Sequence, residues 1–325
     1  MKWNFCLIQE ERKRKNKMPS QKMTKEEKAK YKGKFDMHLD MNKAVEVSYV
    51  AVSLLQKNQY PFNKPGVIPD AILPKGIKEG SLEHALFLFY AVGFDAMRKA
   101  SDVYASARKM VEDYGVHEIL HMDEKTSDQL VREYIEDKPA SGNSYDDPGK
   151  NFYAKNQLLL KEFEGNPLNI AKDTGDVKKI IKNIRKFPTF AEGKSALLLK
   201  NYVRFGMIKL DNLYELPIKV DRHVVRISVN QKVLAVEPEG RCRSNTMVPR
   251  LKKLYLQVTM EEKISPVELD DALWVIGSQM CVKKQISYCK ANCPMDCSKM
   301  IWMCRRGYYL DTLVDVRNQQ QSIFD

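Results

Sequence analysis

Apolar positions recur at helical spacing over most of this chain. From Ser81 the run EHALFLFYAVGFDAM sets a capping hydroxyl before a broad apolar face. A second cap, Ser101 or Asp102, follows, so two helices are expected within residues 81–111. The stripe Leu86, Phe89, Tyr90 and Phe94 reads as core. Residues 138–150, KPASGNSYDDPGK, collect turn formers without an apolar period and are expected to be a loop. Helical spacing returns from Gln157 to Arg204, Pro217 interrupts it, and a further helix is expected to start at Asp221. No alternating run is long enough for a major sheet, and no internal repeat is visible. The expected fold class is all-α, divided into residues 1–34, 35–150, 151–270 and 271–325.

Length and composition bound this picture. At 325 residues the chain has room for about two domains and a sizeable core. With 43% hydrophobic and 30% charged residues it has an ordinary globular composition. Its longest apolar run, Ala85 to Phe94, is about half a membrane span, so no membrane partner is expected. The short stretch Trp3 to Ile8 ends at Glu10 and lacks the apolar core of a signal peptide, which points to an intracellular protein, cytoplasmic or nucleoid if the source is prokaryotic. The net charge of +12 is uneven: residues 1–34 hold twelve Lys and Arg against four Glu. That segment reads as a solvated basic arm, or as an extension upstream of a start at Met18 or Met23.

Of seven cysteines, five fall at the C-terminal end with the spacing C-x7-C-x3-C-x3-C-x6-C: Cys281, Cys289, Cys293, Cys297 and Cys304. In an intracellular chain such clustering points to a thiolate metal site. Four thiolates suit zinc or a [4Fe–4S] cluster equally, and the absence of a C-x2-C pair argues against a zinc ribbon or finger. Two basic patches accompany the cysteines. Residues 281–306 carry six Lys and Arg against Asp296, and residues 177–204 carry eight against Glu192. Patches of one sign suit a polyanion.

The second patch has a defined outline. Asp176 or a neighbour can cap a short helix ending near Lys186, Phe187 to Gly193 turn the chain, and Lys194 starts a second helix. Such a helix-hairpin-helix can aim backbone N–H groups and a helix N-terminus at one phosphate.

With GKSALLL, PIKVDRHVVRI, LWVIGSQMC and the cysteines in order over roughly residues 155–300, the chain resembles the helix-hairpin-helix DNA glycosylases of the endonuclease III type. The most specific piece is VDRHVVR. The resemblance implies a two-lobed helical fold with a C-terminal cluster loop, acting as a monomer on double-stranded DNA. It makes Lys194 the nucleophile and Asp221 the essential carboxylate. It gives Cys281, Cys289, Cys293 and Cys297 the cluster, with zinc as the alternative metal, and leaves Cys304 able to replace Cys297. Lys182, Arg185, Lys186, Gly193 and Lys200 would serve the phosphates. This chain departs from the family at the hairpin, where FPTFAEG is one residue longer than L-P-G-V-G and keeps one glycine. It departs also in its cysteine spacing, the family's being C-x6-C-x2-C-x5-C. The 27 positions between Lys194 and Asp221 resemble the archaeal 8-oxoguanine glycosylases more than endonuclease III.

The chemistry needs these residue types. The nucleotide is flipped out of the duplex, and positive charge grows at C1′. By the resemblance, an ionised Asp221 faces that charge and helps deprotonate Lys194, whose neutral amine attacks C1′ and gives a Schiff base that permits strand β-elimination. A neutral lysine requires a depressed pKa, which burial among like charges supplies. Set against this reading, Lys194 is a surface cation, Asp221 only a helix cap, His223 an orienting histidine and Trp274 packing under the metal loop. The competing function is a non-catalytic iron–sulfur or zinc protein that binds DNA or RNA.

Overall fold

The computed structural model describes residues 36–95, 99–135, 148–237, 244–281, 299–303 and 310–315. From Met37 on the chain forms one unit. The basic arm, Cys289, Cys293, Cys297 and Cys304 lie outside the described residues, as does most of the expected loop at 138–150.

The described residues are mostly helical, in agreement with the all-α expectation. A short strand, β1 (Asp36–Leu39), leads into α1 (Met41–Gln56), capped by Asp40 on the Lys43 N–H. Then come α2 (Leu82–Phe94), α3 (Ala100–Tyr114), α4 (Val116–His121), α5 (Glu124–Tyr134) and α6 (Pro148–Phe163). The hairpin helices are α7 (Val177–Ile184) and α8 (Glu192–Arg204). After α9 (Arg222–Asn230) follow β2 (Leu234–Glu237), which pairs with β1, and α10 (Ser244–Glu262). Helix α11 (Pro266–Val275) runs on into a π-helical turn, Ile276–Met280. Strands β3 (Lys299–Met303) and β4 (Leu310–Asp315) form an antiparallel pair.

Helix α2 is the axis of the core. Ser81 caps it on the His84 N–H, as its sequence indicated, and His84 to Phe94 are buried on every side. A helix apolar all round belongs inside. The partner helix α3 has Lys99 at its N-cap position, with no side-chain cap bond; Ser101 and Asp102 sit in its first turn. Pro148 to Lys150 are helical and open α6, so the turn formers there end earlier than their composition suggested. Pro suits a first helical turn, where its missing N–H has no partner to lose.

The hairpin is fastened to α2 by its turn. Phe187 meets Phe89 edge to face at 5.0 Å, and Phe190 stacks on Phe89 at 5.4 Å. Burying two rings gives the turn an anchor that a glycine-rich loop lacks. Thr189, between them, takes φ = +70°, the left-handed position that a glycine would occupy without strain. As expected, Asp176 caps α7, on the Lys179 N–H. Helix α8 begins at Glu192, two residues before the expected start, because the anchored phenylalanines end the turn sooner.

Candidate active site

Two helix starts carry the expected pair. Lys194 lies in the first turn of α8 and is only 8% exposed; its Nζ donates to the Gly93 carbonyl at 2.8 Å, near the end of α2. Asp221 is the N-cap of α9, its Oδ1 accepting from the His223 N–H at 2.7 Å and the Val224 N–H at 3.3 Å.

Lys219 joins the two segments. Its side chain lies beside Gly193, the residue before Lys194: a Cβ at Gly193 would meet the Lys219 Cγ at 4.0 Å, an ordinary contact. Its Nζ donates to Asp95 at 2.6 Å and its backbone N–H to Asp270 at 2.5 Å. Burial works against the Lys219 charge, but Asp95, Asp221 and Asp270 together raise its pKa and keep it an ammonium.

Next to Lys219 lies a buried ion cluster. Lys200 and Arg204, one turn apart on α8, reach Asp70 of the turn at Pro69–Ala71 and Asp271 of α11; Lys200 also reaches Asp270. Lys200 lies 2.8 Å from both Asp270 and Asp271 and 3.6 Å from Asp70, and Arg204 meets Asp70 at 2.9 Å as well as Asp271. Burial pushes the Asp70 carboxyl up, yet Arg204 and Lys200 outweigh it and hold its pKa low. For Asp271 burial wins, and its pKa is raised. The cluster lines a cavity of about 40 Å³ that Asp95, Tyr104, Lys219 and Trp274 also border. The Tyr104 hydroxyl is buried and has no hydrogen-bond partner among the described residues. A cavity of that size holds little beyond water, so a nucleobase would enter only by moving its walls.

The phosphate-binding set divides. Lys182, Arg185 and Lys186 are exposed on the hairpin, with Lys186 3.2 Å from Glu162. Gly193 is half-buried in the first turn of α8, whose N-cap, Ala191, offers no side-chain acceptor. Lys200 is corrected: it is 5% exposed and held by three carboxylates, so it serves the interior and not a phosphate.

No protein-family model and no curated protein matches the chain.

The rest of the VDRHVVR motif faces the start of the cysteine segment. The His223 Nδ1 lies 3.3 Å from the Gly277 carbonyl, and its ring meets Trp274 edge to face at 5.9 Å. Burial lowers the His223 pKa against the pull of Asp221, which favours a neutral, orienting imidazole. Arg226 donates to the carbonyls of Gly277, at 3.0 Å, and Cys281, at 2.6 Å. Gly277 is needed there, since a Cβ would sit 2.5 Å from the His223 carbonyl oxygen. Cys281 is buried at the end of the π turn, its N–H bonded to the Ile276 carbonyl. Trp274, expected under the metal loop, packs on His223 and borders the cavity.

Sequence reasoning missed Lys155, Lys219, Asp95 and the carboxylates around Lys200. One signal was present: Lys155 falls on the apolar stripe of α6 with Phe152, Leu159 and Phe163, where a lysine has no solvent to reach.

Proposed function

We propose that the chain is a DNA glycosylase with abasic-site lyase activity that acts on a damaged base in double-stranded DNA, with Lys194 as nucleophile and Asp221 as carboxylate. One observation carries the reading: Lys219, two residues before Asp221, lies beside Gly193, one residue before Lys194, near enough that a Cβ at Gly193 would meet its Cγ at 4.0 Å, so the segments bearing both groups run close together. Asp221 sits at the start of α9, its Oδ1 accepting from the His223 and Val224 N–H groups, and in this reading it faces the charge that grows at C1′. The neutral Lys194 amine adds to C1′ of an opened abasic sugar, and the two amine hydrogens leave with the carbonyl oxygen as water. The imine then acidifies the neighbouring C2′ hydrogen, and its loss expels the 3′ phosphate. Lys182, Arg185 and Lys186 hold backbone phosphates. Cys281, Cys289, Cys293 and Cys297 would hold a [4Fe–4S] cluster, or zinc. The four-thiolate donor set fits either.

The alternative, a non-catalytic metal protein that binds DNA or RNA, finds its support in the bond from Lys194 to Gly93, which employs the amine as a structural donor. Borohydride trapping separates the two. On duplexes holding an abasic site or one of a panel of damaged bases, the wild type should form a covalent adduct and Lys194→Gln should form none while still binding DNA. Equal trapping by Lys194→Gln, or none by the wild type, would exclude Lys194 as nucleophile. Broad absorption near 400 nm marks iron–sulfur, and a colourless metal protein marks zinc.

A further inference from the structure

Lys155 is a lysine in an apolar box. It is 2% exposed, and its Nζ lies 5.1, 5.4 and 5.8 Å from the ring centres of Phe94, Phe152 and Phe190. These rings come from α2, α6 and the hairpin turn, so the box closes only when all three elements are packed. The open side is Gly93: a Cβ built there would stand 2.6 Å from the Lys155 Nζ. The Gly93 carbonyl is also what the Lys194 Nζ holds. Two buried amines, from helices α6 and α8, therefore converge on one glycine of α2.

Among the described residues, Lys194 is the charged group that acts on Lys155. The aromatic faces favour an ammonium, but they do not neutralise it. Two buried ammonium ions that act on each other repel and both lose hydration, which favours one positive charge between them over two.

We propose that Lys155 is a positioning residue for Lys194: the two amines share a single positive charge across Gly93, and Lys155 carries the proton while Lys194 attacks as the neutral amine. The proposal rests on the lyase reading above. The transfer balances simply, since the Lys194 ammonium gives one proton to the Lys155 amine and no third group is needed. Burial and repulsion from Lys194 bring Lys155 down to about 7, within reach of physiological pH on either side. Gly93 fits the same account, because any larger residue there would push the Lys155 amine aside.

The test has two arms on the full chain. In the first, ¹³C-lysine-labelled protein is titrated by NMR. One ε-methylene signal should titrate near neutrality and disappear in Lys155→Met; if every lysine titrates in the ordinary alkaline range, there is no such pair. In the second, borohydride trapping on an abasic duplex is followed against pH for wild type, Lys155→Met and Lys155→Arg. Removing the second cation should move the acid limb upward by about one pH unit or more, while Lys155→Arg, always charged, should hold the limb at or below its wild-type position. If both variants trap more weakly with the limb unmoved, Lys155 is only packing and the proposal fails. A neutral-range titration in the first arm with no trapping by wild type would overturn the lyase reading and, with it, the role given to the pair.

Discussion

Replacing Lys155 by Met should make the protein more stable, by an amount that depends on pH. A lysine whose pKa falls from 10.5 to about 7 on folding binds its proton less well in the folded state. The folded state is therefore penalised below the unfolded pKa; the penalty grows as the pH falls from 10.5 to about 7 and is constant below that. At 1.36 kcal/mol per pH unit, the full cost is on the order of 5 kcal/mol at about pH 6, roughly 3 at pH 8 and under about 1 at pH 10. Methionine has a similar length, and its thioether packs well against rings, which offsets the lost contacts with Phe94, Phe152 and Phe190. Urea unfolding of wild type and Lys155→Met at these three pH values gives the gap directly. It should narrow by about 4 kcal/mol between the lowest and the highest pH. A gap that stays constant across this range, or a variant less stable at pH 6, would refute the reasoning, because an amine that keeps its solution pKa has no such dependence.

Asp221→Asn should keep the cap bonds to His223 and Val224, since Asn caps about as well as Asp, and melt within a few degrees of wild type. Base excision should nevertheless slow by about a hundredfold or more, as measured under single-turnover conditions. Lys200→Met leaves Asp70, Asp270 and Asp271 short of a buried cation and should cost about 3–5 kcal/mol in denaturant unfolding, whereas exposed Lys182→Ala should change stability by less than about 0.5 kcal/mol. Equal midpoints for these two would mean that Lys200 is not buried as described. Gly277→Ala forces a Cβ against the His223 carbonyl and should destabilise by about 1–3 kcal/mol in thermal melts; an unchanged melt would show that the π turn and α9 are not packed this closely.

Three helix starts were legible because their signals are local, whereas those of α3 and α8, which have no side-chain cap, were misplaced by a few residues. Ser81, Asp176 and Asp221 each accept a backbone N–H two or three residues ahead, and nothing distant decides that. The placement of Lys200 was not legible. Counting cations along residues 177–204 treats them as one face, but Lys200 and Arg204 lie on the side of α8 that turns inward, toward carboxylates 70 positions later and 130 earlier. Lys155 failed for the same reason: the rings of its box come from three separated segments. The hairpin turn combined both cases. Its extra residue and missing glycines were visible, but their meaning depends on Phe187 and Phe190 finding Phe89 across the core.

Helix α9 can be regarded as a lever. Its nine residues make a rod about 13 Å long, so a tilt of about 5° about its Asn230 end would carry the Asp221 carboxylate roughly 1 Å. A displacement of that size costs a well-aligned reaction about a hundredfold. Besides the buried Val224, Val225 and Ile227, the tilt is resisted by His223 near the moving end and Arg226 at mid-helix, which hold the carbonyls of Gly277 and Cys281. If Asp221 is the carboxylate proposed above, its aim depends in part on two backbone oxygens at the threshold of the cysteine-rich segment, and slack there should be felt as lost rate before it is felt as unfolding.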